Sequence, residues 1–290
     1  MKFMPAAEKV AKILGLIFLF IQQPTLTARV HIGDLFLLDQ ARVDSQSDLT
    51  EVTGAVLVTG SVINVDSLNN LTNIGGELII EGCAGLVAID GLANLDSVGG
   101  AIIILNNSRL NNINGLSSLR FAHEVEIFDN SALLHIDGLS ALADIRSHLS
   151  IYDNNSLASI DGFNALASVH GLSIRDNDAL EQINGFTGLQ GIDFHFSIED
   201  NAALTSINGF GALKALAGIF RISGNPQLAA LEGFNALKSV GYDVVISSNS
   251  NLASITGFTA LSSVGNNLEL TLNTTLNLLT GFGDLQSAGA

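Results

Sequence analysis

Four aspartates recur at one slot of the chain: Asp129, Asp153, Asp176 and Asp200, at intervals of 23 or 24 residues. Carboxylates repeated on successive turns form a column of like charge. At a spacing of about 5 Å, neighbours repel by about 0.8 kcal/mol in water and about 3 kcal/mol at an effective dielectric of about 20. The guanidinium of Arg175 stands beside them and can offset part of this. Carboxylates are also the hard oxygen ligands that Ca²⁺ takes, but that ion wants about six to eight oxygens and a straight column supplies few. The favoured expectation is that each aspartate bonds its own turn backbone and is otherwise solvated. No cofactor is expected.

One residue earlier at the same slot stand Phe128 and Tyr152, in a chain that is only 6% aromatic. Neighbouring exposed aromatics suit a sugar ring or the apolar anchor of a protein partner, or form a cross-strand pair that stabilises a sheet. Glu126, Phe128, Asp129, Tyr152, Asp153, Arg175, Asp176, Glu199 and Asp200 together make the candidate ligand-binding face. His123, His148, His170 and His195 lie six or seven residues before a repeated asparagine on the same four units. They could share a metal or respond to pH, but their alternating offsets favour solvated loop histidines. Arg175 beside Asp153 and Asp176 is the only constellation that could serve catalysis, and no catalytic residue is assigned.

The repeat positions these groups. From about residue 56 the chain follows the pattern LxIxxNxxLxxIxGFxxLxxV, with the asparagine at 107, 130, 154, 177, 201, 225, 249 and 273. Ser61 and Cys83 fall in the asparagine slot of two earlier units. The L-x-I pair alternates with period two, so it predicts a short strand with both apolar residues inward. The asparagine at the following corner can bond backbone groups of adjacent turns in a ladder. The Asp-Gly or Asn-Gly after the next apolar pair reads as a turn needing positive φ. The last arc, as in Phe163, Leu166 and Val169, has a spacing of three that fits a short 3₁₀ or irregular stretch. One unit cannot close a core alone, so units must stack. The expected fold is a mostly β repeat solenoid, leucine-rich-repeat-like, with one parallel strand per 23–24-residue unit.

These units resemble the receptor L domain, the leucine-rich-repeat-like ligand-binding domain of insulin- and epidermal-growth-factor-type receptors, and more closely bacterial surface proteins built of the same unit. Residues 29–55, with Gly33-Asp34, Leu37, Ala41, Val43, Leu49 and Gly54, look like the N-terminal cap of such proteins. The resemblance implies extracellular recognition and carries over no catalytic residue. A single cysteine, Cys83, and hence no internal disulfide, departs from the animal receptors.

Composition bounds the rest. The net charge is −16, which repels nucleic acid and anionic lipid. Residues 1–28 carry Lys2, Lys9 and Lys12, then an apolar run from Ile13 to Ile21, then a polar stretch ending at Ala28. That order predicts a secretory signal peptide, and the run is too short to span a bilayer. The expected architecture is a signal peptide at 1–28, a cap at 29–55 and about ten repeats over 56–290. The chain ends inside a unit, which suggests a truncated C-terminus. The expected function is a secreted or cell-surface binding or adhesion module. It would recognise an extracellular protein or glycan, with no nucleic-acid partner and no membrane insertion of the mature chain. The alternatives are a structural spacer repeat, a Ca-dependent polysaccharide-acting β-helix enzyme, or an ice- or mineral-binding surface. The repeats lack the cleft-building insertions the enzyme needs and the single-residue column the surface needs.

Overall fold

The computed structural model describes residues 28–289, so all of the predicted export segment except Ala28 lies outside the described residues. The L-x-I pairs form the strands they predict, and one strand of the expected cap segment, β1 (Leu35–Asp39), precedes them. The predicted strands are β2 (Val56–Ser61), β3 (Leu78–Glu81), β4 (Ser97–Leu105), β5 (Phe121–Phe128) and β6 (His148–Tyr152). They continue as β7 (Gly171–Arg175), β8 (His195–Glu199), β9 (Ile219–Ser223), β10 (Val244–Ser247) and β11 (Leu268–Thr271). Each pairs in parallel with the next, making one wide wall of a solenoid. Inward residues such as Leu149 and Ile151, or Leu172 and Ile174, are fully buried.

Two further walls complete the turn, where the sequence predicts only one strand per unit. One is a run of two- to four-residue strands from Arg29–His31 and Leu49–Val52 to Ser263–Val264 and Ser287–Ala288, joined at β4 and β5 by the first residues of those strands. The other changes character along the axis. Early turns use 3₁₀ helices at Asp66–Leu68, Asp90–Leu92 and Asn114–Leu116, whereas later turns pair strands such as His135–Ile136, Ser159–Ile160 and Gln182–Ile183. Beside this wall, the residue after glycine changes from leucine to phenylalanine. Phe163, Phe186, Phe210, Phe234, Phe258 and Phe282 stack in file with centroids 5.0–5.7 Å apart. The molecule is thus a mostly β, parallel-strand solenoid. No described helix is long and apolar enough to cross a membrane.

Residues 29–55 form the first turn of this same coil. Its short helix α1 (Gln40–Asp44) is capped by the Asp39 carboxylate, which accepts from the Arg42 N–H at 3.0 Å, and it buries Val43.

The asparagine ladder is formed. Asn154 Oδ1 accepts from the backbone N–H of Asn130 at 3.1 Å, and its Nδ2 donates to the carbonyls of Ile127 and Tyr152, both at 2.9 Å. Cys83 keeps the slot as a buried thiol whose N–H donates to Asn107 Oδ1 at 3.0 Å. Burial, and then Glu81, push that thiol up to about 11. Ser61 does not share the slot. It is exposed, and Val62 follows Val58 by four residues where Leu86 follows Ile80 by six. The turn glycines also differ from expectation. Gly162 and its equivalents are not at positive φ; Phe163 and Phe186 are, at 64° and 66°. The glycines are required by close stacking instead: a Cβ on Gly209 would lie 1.7 Å from the Gly185 carbonyl oxygen.

Candidate binding face

Among the described residues nothing covers the outer side of the wide wall, which is unusual for a parallel sheet. Its register sets the candidate residues side by side. Glu126 faces Ser150, Phe128 faces Tyr152, Tyr152 faces Arg175, and Arg175 faces Glu199. All nine candidates therefore lie on one patch across the ends of β5 to β8.

Phe128 and Tyr152, expected to be exposed, are half-buried because they cover one another. Their rings are parallel, 4.6 Å between centroids and 9° between planes. The Arg175 guanidinium closes the far face of Tyr152 at 4.4 Å from its centroid and also holds the Asp176 carboxylate at 2.6 Å. Beyond it, Glu199 accepts from Ser197 Oγ and stands 4.0 Å from Arg221. The stack therefore turns ring edges outward. Burial and then the neighbouring Glu126 raise the Tyr152 hydroxyl above its ordinary value. Glu126 itself is raised by burial and by Glu124. On the preceding strands the same face is apolar: Phe36, Leu57, Ile79 and Ile103 stand in one row.

The aspartate column has a backbone cause that composition alone does not reveal. The residue before each ladder asparagine is in the left-handed region: Asn106, Asp129, Asp153, Asp176, Asp200, Ser248 and Leu272 have φ between 53° and 58°, and Gly82 and Gly224 lie at 62° and 68°. Glycine, asparagine and aspartate tolerate that conformation. The column is acidic because the corner selects from a short list. Among the described residues, the column's carboxylates bond no turn backbone, contrary to expectation; Asp176 pairs with Arg175 instead. Burial and then Asp176 raise both Asp153 and Asp200 above the usual carboxylate value. No set of three or more His, Cys, Asp or Glu side chains among the described residues converges as a metal ion requires.

Two of the histidines depart from the solvated-loop expectation. His123 and His170 are exposed, but His148 and His195 are half-buried, and His148 lies 5.1 Å from His170 and 5.6 Å from His195 between centroids. Gly171 makes this close approach feasible, since a Cβ there would meet His148 at 2.6 Å and His195 at 3.1 Å. Phe194 stacks on His170 at 5.5 Å. His195 is held below its ordinary value by burial and then by His148 and His170. Beside this cluster lies a cavity of about 430 Å³ bordered by Phe194, His195, Gly218, Ile219 and Tyr242. The candidate set missed Phe194 and Tyr242. Aligning the residues two places before each strand's first inward residue would have found them, as a column of Ser147, His170, Phe194, Gly218, Tyr242 and Asn266.

No family model, no curated protein and no solved structure matches this chain.

Proposed function

We propose that this chain is a secreted or cell-surface binding module, leucine-rich-repeat-like in the manner of the receptor L domains. Its ligand, an extracellular protein or glycan, docks on the outward face of the wide wall. The observation that carries this reading is the Phe128–Tyr152–Arg175 stack on a sheet face that no described residue covers. Rings stacked edge-outward beside the apolar row Phe36, Leu57, Ile79 and Ile103 offer a rigid strip that suits a partner's apolar anchor. Glu126, Asp129, Asp153, Asp176, Glu199 and Asp200 give the strip an acidic border that would steer a cationic partner, admit a neutral one and turn away anions. Support for secretion comes from the residue order of 1–28.

The test is an array of extracellular glycans and proteins probed with residues 29–290, with and without Ca²⁺. Binding that disappears in the Phe128→Ala, Tyr152→Ala double variant, while its circular dichroism is unchanged, is the expected result. Failure of every probe under both conditions would turn the reading toward a spacer repeat.

A further inference from the structure

The column that begins the strands carries a second arrangement, apart from the Phe128–Tyr152 face. Phe194 and Tyr242 stand two turns apart, 55% and 56% exposed, with Gly218 between them. The backbone links these turns directly: the Ala217 N–H donates to the Ile192 carbonyl at 2.9 Å and the Tyr242 N–H to the Gly218 carbonyl at 3.1 Å. No side chain can fill the middle position, because a Cβ on Gly218 would lie 1.2 Å from the Phe194 carbonyl oxygen. The interval between the two aromatic residues is therefore open, and the cavity of about 430 Å³ occupies it.

The orientation of one wall follows from its packing. The Phe194 ring is stacked on His170, one turn before, with only 3° between the planes. Its other face turns toward the following turn, where Gly218 leaves it bare. Two turns at about 4.8 Å each put the walls about 10 Å apart. A ring in van der Waals contact with both sides, at about 4 Å from each, fills most of that interval when puckered and less of it when flat. Asp193 and His195 line the cavity as its polar groups, and Ile219 adds an apolar surface. A shallower trough of about 420 Å³ continues from Phe194 and His195 toward Arg175, Ser197, Glu199 and Arg221.

We propose that this slot is a sugar subsite. A neutral pyranose of a glycan enters between Phe194 and Tyr242, with its C–H faces against the aromatic rings and its hydroxyls on Asp193 and His195. Neighbouring sugars of the same chain lie in the trough. A pyranose combines apolar faces with a hydroxylated edge, which is the combination that aromatic walls and a polar rim select. The net charge of −16 disfavours an acidic sugar. Burial and the adjacent histidines keep the His195 imidazole neutral at neutral pH, so it can both donate and accept. The slot between Phe194 and Tyr242 does not depend on the wide-wall reading, although its trough shares Arg175 and Glu199 with that face.

The chain has no tryptophan, so Tyr242→Trp keeps an aromatic wall and installs a sole indole reporter. This variant would be titrated with cellulose-, amylose-, mannan- and chitin-derived oligosaccharides, and the unsubstituted protein with the same probes by calorimetry. We expect at least one probe to shift the indole emission and to bind the unsubstituted protein. Phe194→Ala and Tyr242→Ala should each weaken that binding by at least about tenfold with unchanged thermal unfolding, whereas Leu134→Ala, at an exposed position on another wall, should not. The assignment is overturned if no probe binds at up to about 10 mM, a concentration that registers millimolar affinity. It is equally overturned if binding survives both slot variants. Binding lost only with Phe128 and Tyr152 would place the glycan on the wide wall and remove it from the slot.

Discussion

Asn154 and Asp153 are neighbours in sequence with opposite consequences for stability. Asn154 is fully buried, and its amide satisfies groups on three successive turns. Replacing it with leucine strands the Asn130 N–H and the Ile127 and Tyr152 carbonyls. Asn154→Leu should cost about 3 kcal/mol or more in urea unfolding, since each unpaired buried group costs about 1–3 kcal/mol. Asp153 instead sits in a left-handed corner among like charges. Asn tolerates that conformation without the charge, so Asp153→Asn should stabilise slightly, by under about 1 kcal/mol, and the gain should fade in high salt. A loss of stability in Asp153→Asn would mean that the carboxylate has a partner. The ladder was legible because a buried polar residue at fixed period has few other uses. The corner was not, because aspartate reads equally well as a ligand and as a residue that accepts positive φ. Only the φ values of Asp129, Asp153, Asp176 and Asp200 separate the two.

The strands and turns show where spacing informs and where it misleads. Because period two is a backbone property, the L-x-I pairs placed every strand of the wide wall except β1, which lies in the segment read as a cap. The turn glycines were assigned to positive φ, yet their constraint is the neighbouring turn. A Cβ on Gly209 meets a carbonyl oxygen of the turn before, so Gly209→Ala should cost several kcal/mol, as overpacking against backbone does, and should lower the unfolding midpoint without altering strand content. The starts of β6 and β8 carry a pH dependence. His195 has a lowered folded value, so its unfolded form binds the extra proton, and stability should fall as the pH drops below the ordinary histidine value of 6.5. The groups facing it are His148 and His170, which add to this, and Glu199, which opposes it. Glu126, Asp153 and Asp200 work the other way at lower pH, since raised carboxylate values favour the folded state as protons are added. Thermal unfolding from pH 7 to 5 should therefore show a declining midpoint, and His195→Gln should flatten it. An unchanged slope in that variant would assign the decline elsewhere.

As a whole, the molecule is a stack in which each turn touches its neighbours, so stability sums over turns and their interfaces. That is why so much of the architecture could be read from one recurring unit, while the short strands of the other two walls could not. Two-residue strands such as Ser159–Ile160 leave no periodicity of their own and exist only because identical turns are stacked in register. The same logic makes protection uneven. In the middle turns Asn154, Asn177 and Asn201 are fully buried and bonded on both sides, and Phe196 and Phe220 pack edge-on against Phe210 and Phe234. In the last described turn Leu278 and Leu279 are about half exposed, and Leu272 takes a left-handed φ of 56° while 71% exposed. A bulky residue in that conformation costs roughly 1–2 kcal/mol, and that turn has a neighbour on one described side only. Hydrogen exchange should show the amides of β6 to β8 opening only with global unfolding, while those of β11 exchange faster by several orders of magnitude through local opening. Leu272→Asn relieves the strained corner and should slow exchange in β11 without changing β7. Uniform protection from β6 to β11 would instead describe a solenoid that opens as a single cooperative unit.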